Sequence, residues 1–239
     1  MEKLVYLVWE RPSVDPSALR KQFLDDIAPR LLAARPHALQ IDLDDDDATT
    51  PSMVPVPGDE LPVRACISIW LDAHDERAPF ETVLAESGVR RAGYLVTESR
   101  YRDYGGNEHM PARDWPDGER SPGIITLTVF DKPAGVDDET FYAHWYGHQS
   151  PMSEAMQPRA RYVRNAVTRA ITPGAPRYRA IVEEAWPSVE HLTNLHTFFG
   201  AATDEELGEN VRIMLDSTKL LYDPATMRSY TMSEYILKS

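Results

Sequence analysis

The chain has a single cysteine, Cys66, among 239 residues. It can form no internal disulfide, and no second thiol is present with which to build a zinc site, so neither a disulfide scaffold nor a cysteine-rich metal module applies. Within the apolar run RACISIW, Cys66 reads as a small buried core residue. Basic residues are also scarce: 25 Lys and Arg stand against 38 Asp and Glu, a formal net charge of -13. That field repels nucleic acid and anionic membrane surfaces, so neither is an expected partner. No apolar run approaches the roughly 18 residues that cross a bilayer, and the start MEKLVYLVWERP lacks a signal peptide's long apolar stretch and cleavage site. The expected location is the cytoplasm. No Walker glycine loop, G-x-G-x-x-G or G-x-S-x-G occurs, which removes nucleotide chemistry and serine hydrolysis as leading readings.

What is present is a globular composition, 42% hydrophobic, with strand and helix patterns in a recurring order. KLVYLVW is β-branched and aromatic, a strand; a turn between Pro12 and Pro16 leads into the amphipathic run SALRKQFLDDIAPRLLA, a helix. A short strand ALQIDL, a polar loop rich in Asp and Pro, the strand VRACISIWL, the helix FETVLAES and the strand AGYLVTESRY follow. The order is βαββαβ. From Gly123 it repeats, through IITLTVF, a helix after KPAGVDD, ARYVRNAV, RYRAIVEEAW, a helix from Ser188 to about Phe199, and MRSYTMSEYIL.

The halves overlay with one inserted glycine, Gly135. Trp9 falls on Phe130, Pro12 on Pro133, Phe23 on Trp145 and Pro29 on Pro151; farther on, Trp70 falls near Trp186, Tyr94 on Tyr230 and Glu98 on Glu234. An ordered set of such pairs indicates a tandem duplication. Each βαββαβ half predicts a ferredoxin-like sheet with both helices on one face, and two such halves bury their open faces by packing sheet to sheet. The expected fold is therefore α+β: two tandem ferredoxin-like repeats, residues 1–105 and 123–239, forming an intrachain dimeric α/β barrel. Residues 106–122, rich in Gly, Pro and charge, read as a surface linker.

The second half resembles the EthD-like members of the dimeric α/β-barrel superfamily. The residues that carry the resemblance are the F-x-x-x-W of the first helix with its following His and Pro, Tyr162 and Asn165 in YVRNAV, the join AIVEEAWPSVEHL and the closing YDPATMRSYTMSEYIL. The resemblance implies a barrel usually without metal or organic cofactor, and dehydration, decarboxylation or cyclisation of aromatic and polyketide-like compounds. That family's histidine stands four residues after the tryptophan and two before the proline. Here Gln149 holds that place and His148 the one before it, so the role passes to His148 only by neighbouring position.

On a helix Phe141, His144, Trp145 and His148 share one face. His148, near the helix end, is the candidate catalytic acid or base, because imidazole titrates near neutrality; the alternative is a hydrogen-bonded structural histidine. Glu183 and Glu184 point to opposite faces of their strand. Glu183, which matches the strand glutamate of the EthD-like proteins, is taken as the partner of His148, the alternative being an ion pair with Arg161, Arg164 or Arg179. His144, Trp145, Tyr162 and Asn165 are the candidate substrate-binding residues, with core packing or backbone hydrogen bonding as their ordinary roles. His148 falls on Asp26 of the first half, so the site is expected to be asymmetric. The acidic run of Asp42 and Asp44 to Asp47 lacks EF-hand spacing, and H-x-x-x-H at His144 and His148 lacks the internal glutamate of a zinc motif; no metal is expected.

The expected function is a cofactor-independent lyase or isomerase that moves protons on a small apolar, aromatic or polyketide-like molecule. The alternative is a carrier of a hydrophobic metabolite. Haem chemistry, known elsewhere in the superfamily, would need an unobstructed histidine ligand. A homodimer is compatible with either reading.

Overall fold

The structure is a computed structural model that describes residues 1–52, 54, 56–58 and 60–239. Eight strands, β1 (Glu2–Trp9), β2 (Ala38–Leu43), β3 (Val63–Leu71), β4 (Arg90–Arg102), β5 (Ile124–Phe130), β6 (Arg161–Ala170), β7 (Ala180–Trp186) and β8 (Arg228–Lys238), close into one antiparallel barrel. The order around it is β1-β3-β2-β8-β5-β7-β6-β4. Within each half the fourth strand lies beside the first, the first beside the third and the third beside the second. The halves are stitched by β2 with β8 and by β4 with β6. Closure removes the open edges that two separate sheets would expose.

Because strand side chains alternate, the barrel has two apolar faces to bury. Val5, Leu7, Tyr94, Leu127, Val129 and Met232 fill the interior. In the first half Leu4, Tyr6 and Val8 point outward, under a helix that runs from α1 (Pro16–Lys21) through a π-helical turn (Gln22–Ile27) to α2 (Ala28–Ala33), with α3 (Ala78–Glu86) beside it. Leu19, Phe23, Ile27 and Leu31 fill that layer, each at most 2% exposed. The second half places α4 (Asp138–His144), a π-helical turn (Trp145–Gln149) and α5 (Ser150–Met156) over β5, β6 and β7.

Several expectations need correction. The overlay of the first helices places Phe23 and Trp145 alike, both buried beneath a helix with a π turn. The overlay of the strands does not: Trp9 packs against the interior cluster, whereas Phe130 belongs to the outer one. Val8 faces out and Trp9 in, whereas Val129 faces in and Phe130 out, so on this strand the overlay is one residue out of register, which reverses every side chain. The helix expected from Ser188 to Phe199 is two short turns, α6 (Glu190–Thr193) and α7 (Leu195–Phe198). A further helix, α8 (Asp204–Thr218), was not expected at all. Just before residues 106–122, and within them, side chains reach the barrel: Tyr104 Oη and Ser121 Oγ both donate to Glu234 Oε2, at 2.8 and 2.6 Å, and Met110 is 8% exposed. The loop expected after ALQIDL falls partly on residues 53, 55 and 59, outside the described residues.

Gly123, which opens β5, has φ +81, and a Cβ there would lie 2.1 Å from the Trp186 carbonyl oxygen. Both the left-handed backbone and the close approach to β7 require glycine at that join.

Candidate active site and the buried polar network

The predicted site residues divide between two sides of the barrel wall. Tyr162 and Glu184 are register partners on β6 and β7 and face outward; Val163 and Glu183, the next pair along, face inward. Asn165 lies on the inward face with Glu183, and its Nδ2 donates to Glu183 Oε1 at 2.8 Å. Trp145 and Tyr162 meet on the outer side, where the indole Nε1 donates to the phenol oxygen at 3.2 Å. The residues expected to share one site thus lie on two sides of the sheet, Asn165 and Glu183 inside the barrel and Trp145 and Tyr162 outside it.

His148 is exposed, with its ring against that of His144, centroids 5.0 Å apart. The π turn is the reason. An α-helix would carry residue 148 back toward the face of Phe141 and Trp145, but the wider turn inserts an extra residue and rotates Gln149 into that place instead. Gln149 is 6% exposed, and its Oε1 accepts from Ser217 Oγ at 2.5 Å. Ile27, at the corresponding end of the first-half π turn, is likewise buried, while Asp26, like His148, is exposed. The catalytic role given to His148 therefore loses its geometry, as does the pairing of His148 with Glu183. His144 is also displaced from substrate binding: its Nε2 lies 2.8 Å from the Ser217 carbonyl oxygen, which ties α4 to α8.

On the outer side a cavity of about 170 Å³ remains between the sheet and the helices. Phe130, Val182, Leu221 and Met214 make it largely apolar. Its polar end is built by Arg159, Glu184, Tyr162 and Gln149. Arg159 is 1% exposed; its Nη1 donates to Glu184 Oε1 at 2.5 Å, its Nη2 to Ser153 Oγ at 3.0 Å, and its guanidinium lies 4.1 Å from the Tyr162 ring centroid. Thr126 Oγ1 donates to the other oxygen of Glu184 at 3.3 Å. Burial pushes the Tyr162 phenol up, so it stays protonated and can donate a hydrogen bond. α8 roofs the cavity with Met214 and Thr218. Residues 187–227, which carry it, make a connection more than twice as long as residues 72–89 in the first half, so only the second half has this roof. No histidine lines the cavity, and the ligand that a haem reading requires is not supplied there.

The inward face holds a second, denser constellation. Lys3 Nζ lies 2.9 Å from Glu183 Oε1 and 3.1 Å from Glu98 Oε1. Gln40 Nε2 donates to Glu183 Oε2 at 3.0 Å and to Asp42 at 3.0 and 3.2 Å. Arg161 Nη1 donates to Glu234 Oε1 at 2.7 Å and sits 3.6 Å from Glu183. Glu183 is 0% exposed, and the ion pair offered as its alternative role includes the expected Arg161. Burial alone would raise its carboxyl, but Lys3 and Arg161 outweigh that and hold it down at about 2. Asp42 goes the other way: burial, then the charges of Glu183 and Glu234, keep it well above the ordinary carboxylate range. Glu234 stands directly opposite Asp42 across the β2–β8 seam, where like charges repel.

The sign of the Asp42 effect can be tested. Between its unfolded pKa near 3.9 and its higher native value, the native state binds more protons than the unfolded chain, so stability falls by up to about 1.4 kcal/mol for each unit of rising pH. Asp42→Asn removes that loss. Denaturant titrations are expected to find the variant more stable than wild type at pH 8, with the difference shrinking toward pH 4. A variant no more stable than wild type at pH 8 would contradict the assignment.

In sequence comparisons no family model matches the chain, and no curated protein matches it. Comparison of structures does find likeness. An anthrone oxidase-like protein of known structure is matched over 100% of this chain and 94% of its own, with a TM-score of 0.58 and 11% identity. The barrel fold is shared. At that identity the likeness concerns fold alone: a closed eight-stranded antiparallel barrel with outer helices, similar to the dimeric α/β barrels. A candidate monooxygenase from Lactobacillus acidophilus (TM-score 0.48, 10% identity, 99% of this chain and 96% of that one) and a mutant chlorite dismutase from Candidatus Nitrospira defluvii (0.48, 7%, 99% and 92%) are more distant. Among the described residues no helix is long and apolar enough to cross a membrane.

Proposed function

We propose that the chain is a small-molecule enzyme whose active site is the roofed outer cavity of the second half, and that it moves protons on a small aromatic or polyketide-like molecule with a lyase or isomerase outcome. The observation that carries this reading is a cavity walled in part by Phe130, Val182, Met214 and Leu221 in which a buried guanidinium, a carboxylate and a protonated phenol converge. Glu184 accepts a proton from the substrate, Tyr162 donates a hydrogen bond to the substrate oxygen that gains charge, and Arg159 holds the carboxylate in place. Return of the proton to a second carbon gives an isomerase; its transfer to a departing hydroxyl gives a lyase. Trp145 contributes the wall of the binding site, and Gln149 orients the substrate's polar edge.

The reading extends to the architecture. The two halves, 1–105 and 123–239, are taken as tandem ferredoxin-like repeats of EthD-like descent, supported by their common strand order and by a π turn at the same place in each first helix. The name of the fold neighbour, anthrone oxidase-like, agrees with an aromatic substrate class.

Calorimetric titration with 1-naphthol tests the site. Binding to wild type is expected, and Met214→Trp, which fills the cavity from the half-buried roof, is expected to weaken it by at least about tenfold at unchanged thermal stability. Undiminished binding to Met214→Trp would place the ligand elsewhere and overturn the assignment.

A further inference from the structure

Arg161 and Tyr162 are successive residues on β6 and so point to opposite sides of the barrel wall. Tyr162 faces the outer cavity. Arg161 faces a separate cavity of about 200 Å³ at one end of the barrel. Gln40 and Arg161, both buried, form its floor; Trp70 and Tyr104 supply flat walls; Arg100 and Arg113 stand at its rim. Nothing in the proposed proton chemistry uses these residues.

Several donors around this cavity lack a well-placed acceptor. Arg161 Nη1 is committed to Glu234 at 2.7 Å and Nη2 to Gln40 Oε1 at 3.3 Å, but its Nε has only Asp103 Oδ1 at 3.5 Å, outside hydrogen-bond geometry. Arg113 Nε is buried with no partner at all. Arg100 Nε lies 3.4 Å from Glu98 Oε2, and its Nη1 reaches the other oxygen of Asp103 only at 3.7 Å. Asp103, 50% exposed, thus stands between two guanidinium groups and satisfies neither.

We propose that the barrel end is a binding site for a small planar carboxylate, whose acid group displaces Asp103 between Arg100 and Arg161 and whose ring lies against Trp70 and Tyr104. The size is suitable: a dry cavity of about 150 Å³ accommodates benzene, so this one admits a single aromatic ring with its carboxyl group. The chemistry is also suitable, because guanidinium groups match carboxylate geometry and one of the two, Arg161, is buried. Neither feature favours a cation or a neutral amide.

Sodium benzoate, with benzamide as its uncharged counterpart, is the probe. In calorimetric titrations of the whole chain, benzoate is expected to bind at least about tenfold more tightly than benzamide, with an affinity that falls as salt rises. Arg100→Gln is expected to weaken benzoate by about fivefold, and Asp103→Asn, which removes the competing carboxylate, to tighten it by about threefold. Both side chains are half exposed, so neither change threatens folding. Met214→Trp, in the outer cavity, is expected to leave the benzoate affinity as it was. Equal affinity for benzamide, or wild-type affinity in both Arg100→Gln and Asp103→Asn, would overturn the site. Loss of benzoate binding in Met214→Trp would overturn it too, by assigning the probe to the outer cavity.

Discussion

Replacing Lys3 with methionine is expected to cost about 3–5 kcal/mol of folding stability, the loss that follows when one partner of a buried ion pair is removed. Glu183 would then remain at 0% exposure, with Arg161 at 3.6 Å as its remaining cation and with Asp42 and Glu98 nearby. Methionine matches the length of the lysine stem, so the loss reports the charge rather than a cavity. In wild type the Glu183 carboxyl titrates at about 2, below its unfolded value, so its stabilising effect is complete above the unfolded pKa near 4.3 and disappears as pH falls through the native value. Without Lys3 the native carboxyl rises toward the unfolded one. The gap between wild type and Lys3→Met, measured by denaturant titration, is therefore expected to be full at pH 7 and to narrow progressively below pH 4.5. The double variant Lys3→Met with Glu183→Gln is expected to recover part of the loss, because the uncompensated charge is gone. A cost below about 1 kcal/mol at pH 7 would show that the pair does not hold the barrel interior together.

How far the sequence leads depends on the periodicity of each element. In KLVYLVW both alternate sets, Lys3 with Val5 and Leu7, and Leu4 with Tyr6 and Val8, are apolar apart from the lysine. A strand with two apolar faces announces that both are buried, which in a closed barrel makes Lys3 an interior charge in need of carboxylates. Alternation likewise separated Glu183 from Glu184, but could not say which face carries helices and which encloses the barrel. The choice between them needed the closure of the sheet. The π turn at Trp145–Gln149 lay beyond periodicity altogether, because the 3.6-residue pattern of Phe141, Trp145 and His148 is the one a regular helix would give. α8 escaped for a different reason. Ser217 is its only buried residue, so it has no apolar stripe to detect; its start, with Thr203 accepting from the Glu206 amide and the Glu206 carboxylate accepting from the Ala202 amide, was the readable signal.

The helix α8 bears on the second large effect. It covers one side of the outer cavity with Met214 and Thr218, and Glu184 is the one carboxylate among the lining residues. Glu184→Gln preserves the side chain's shape and its contact with Thr126 while removing the proton acceptor. Turnover of a substrate found by screening hydroxyaromatic compounds is expected to fall by about 10²–10⁴-fold in kcat, the usual contribution of a positioned acid or base, with KM changed only slightly. Arg159 keeps Ser153 and Glu154 as partners, so the variant remains folded and its 1-naphthol affinity stays near that of wild type. Tyr162→Phe is expected to act differently, lowering kcat/KM by about tenfold because the oxygen-holding hydrogen bond serves the transition state more than the ground state. The two variants thus separate proton transfer from charge stabilisation within one cavity. If Glu184→Gln retained kcat within threefold of wild type, the carboxylate would not be the base. If wild type and variant both bound 1-naphthol alike and neither consumed any hydroxyaromatic compound, the cavity would be that of a carrier, in which the Arg159–Glu184 pair merely closes the polar end of a hydrophobic pocket.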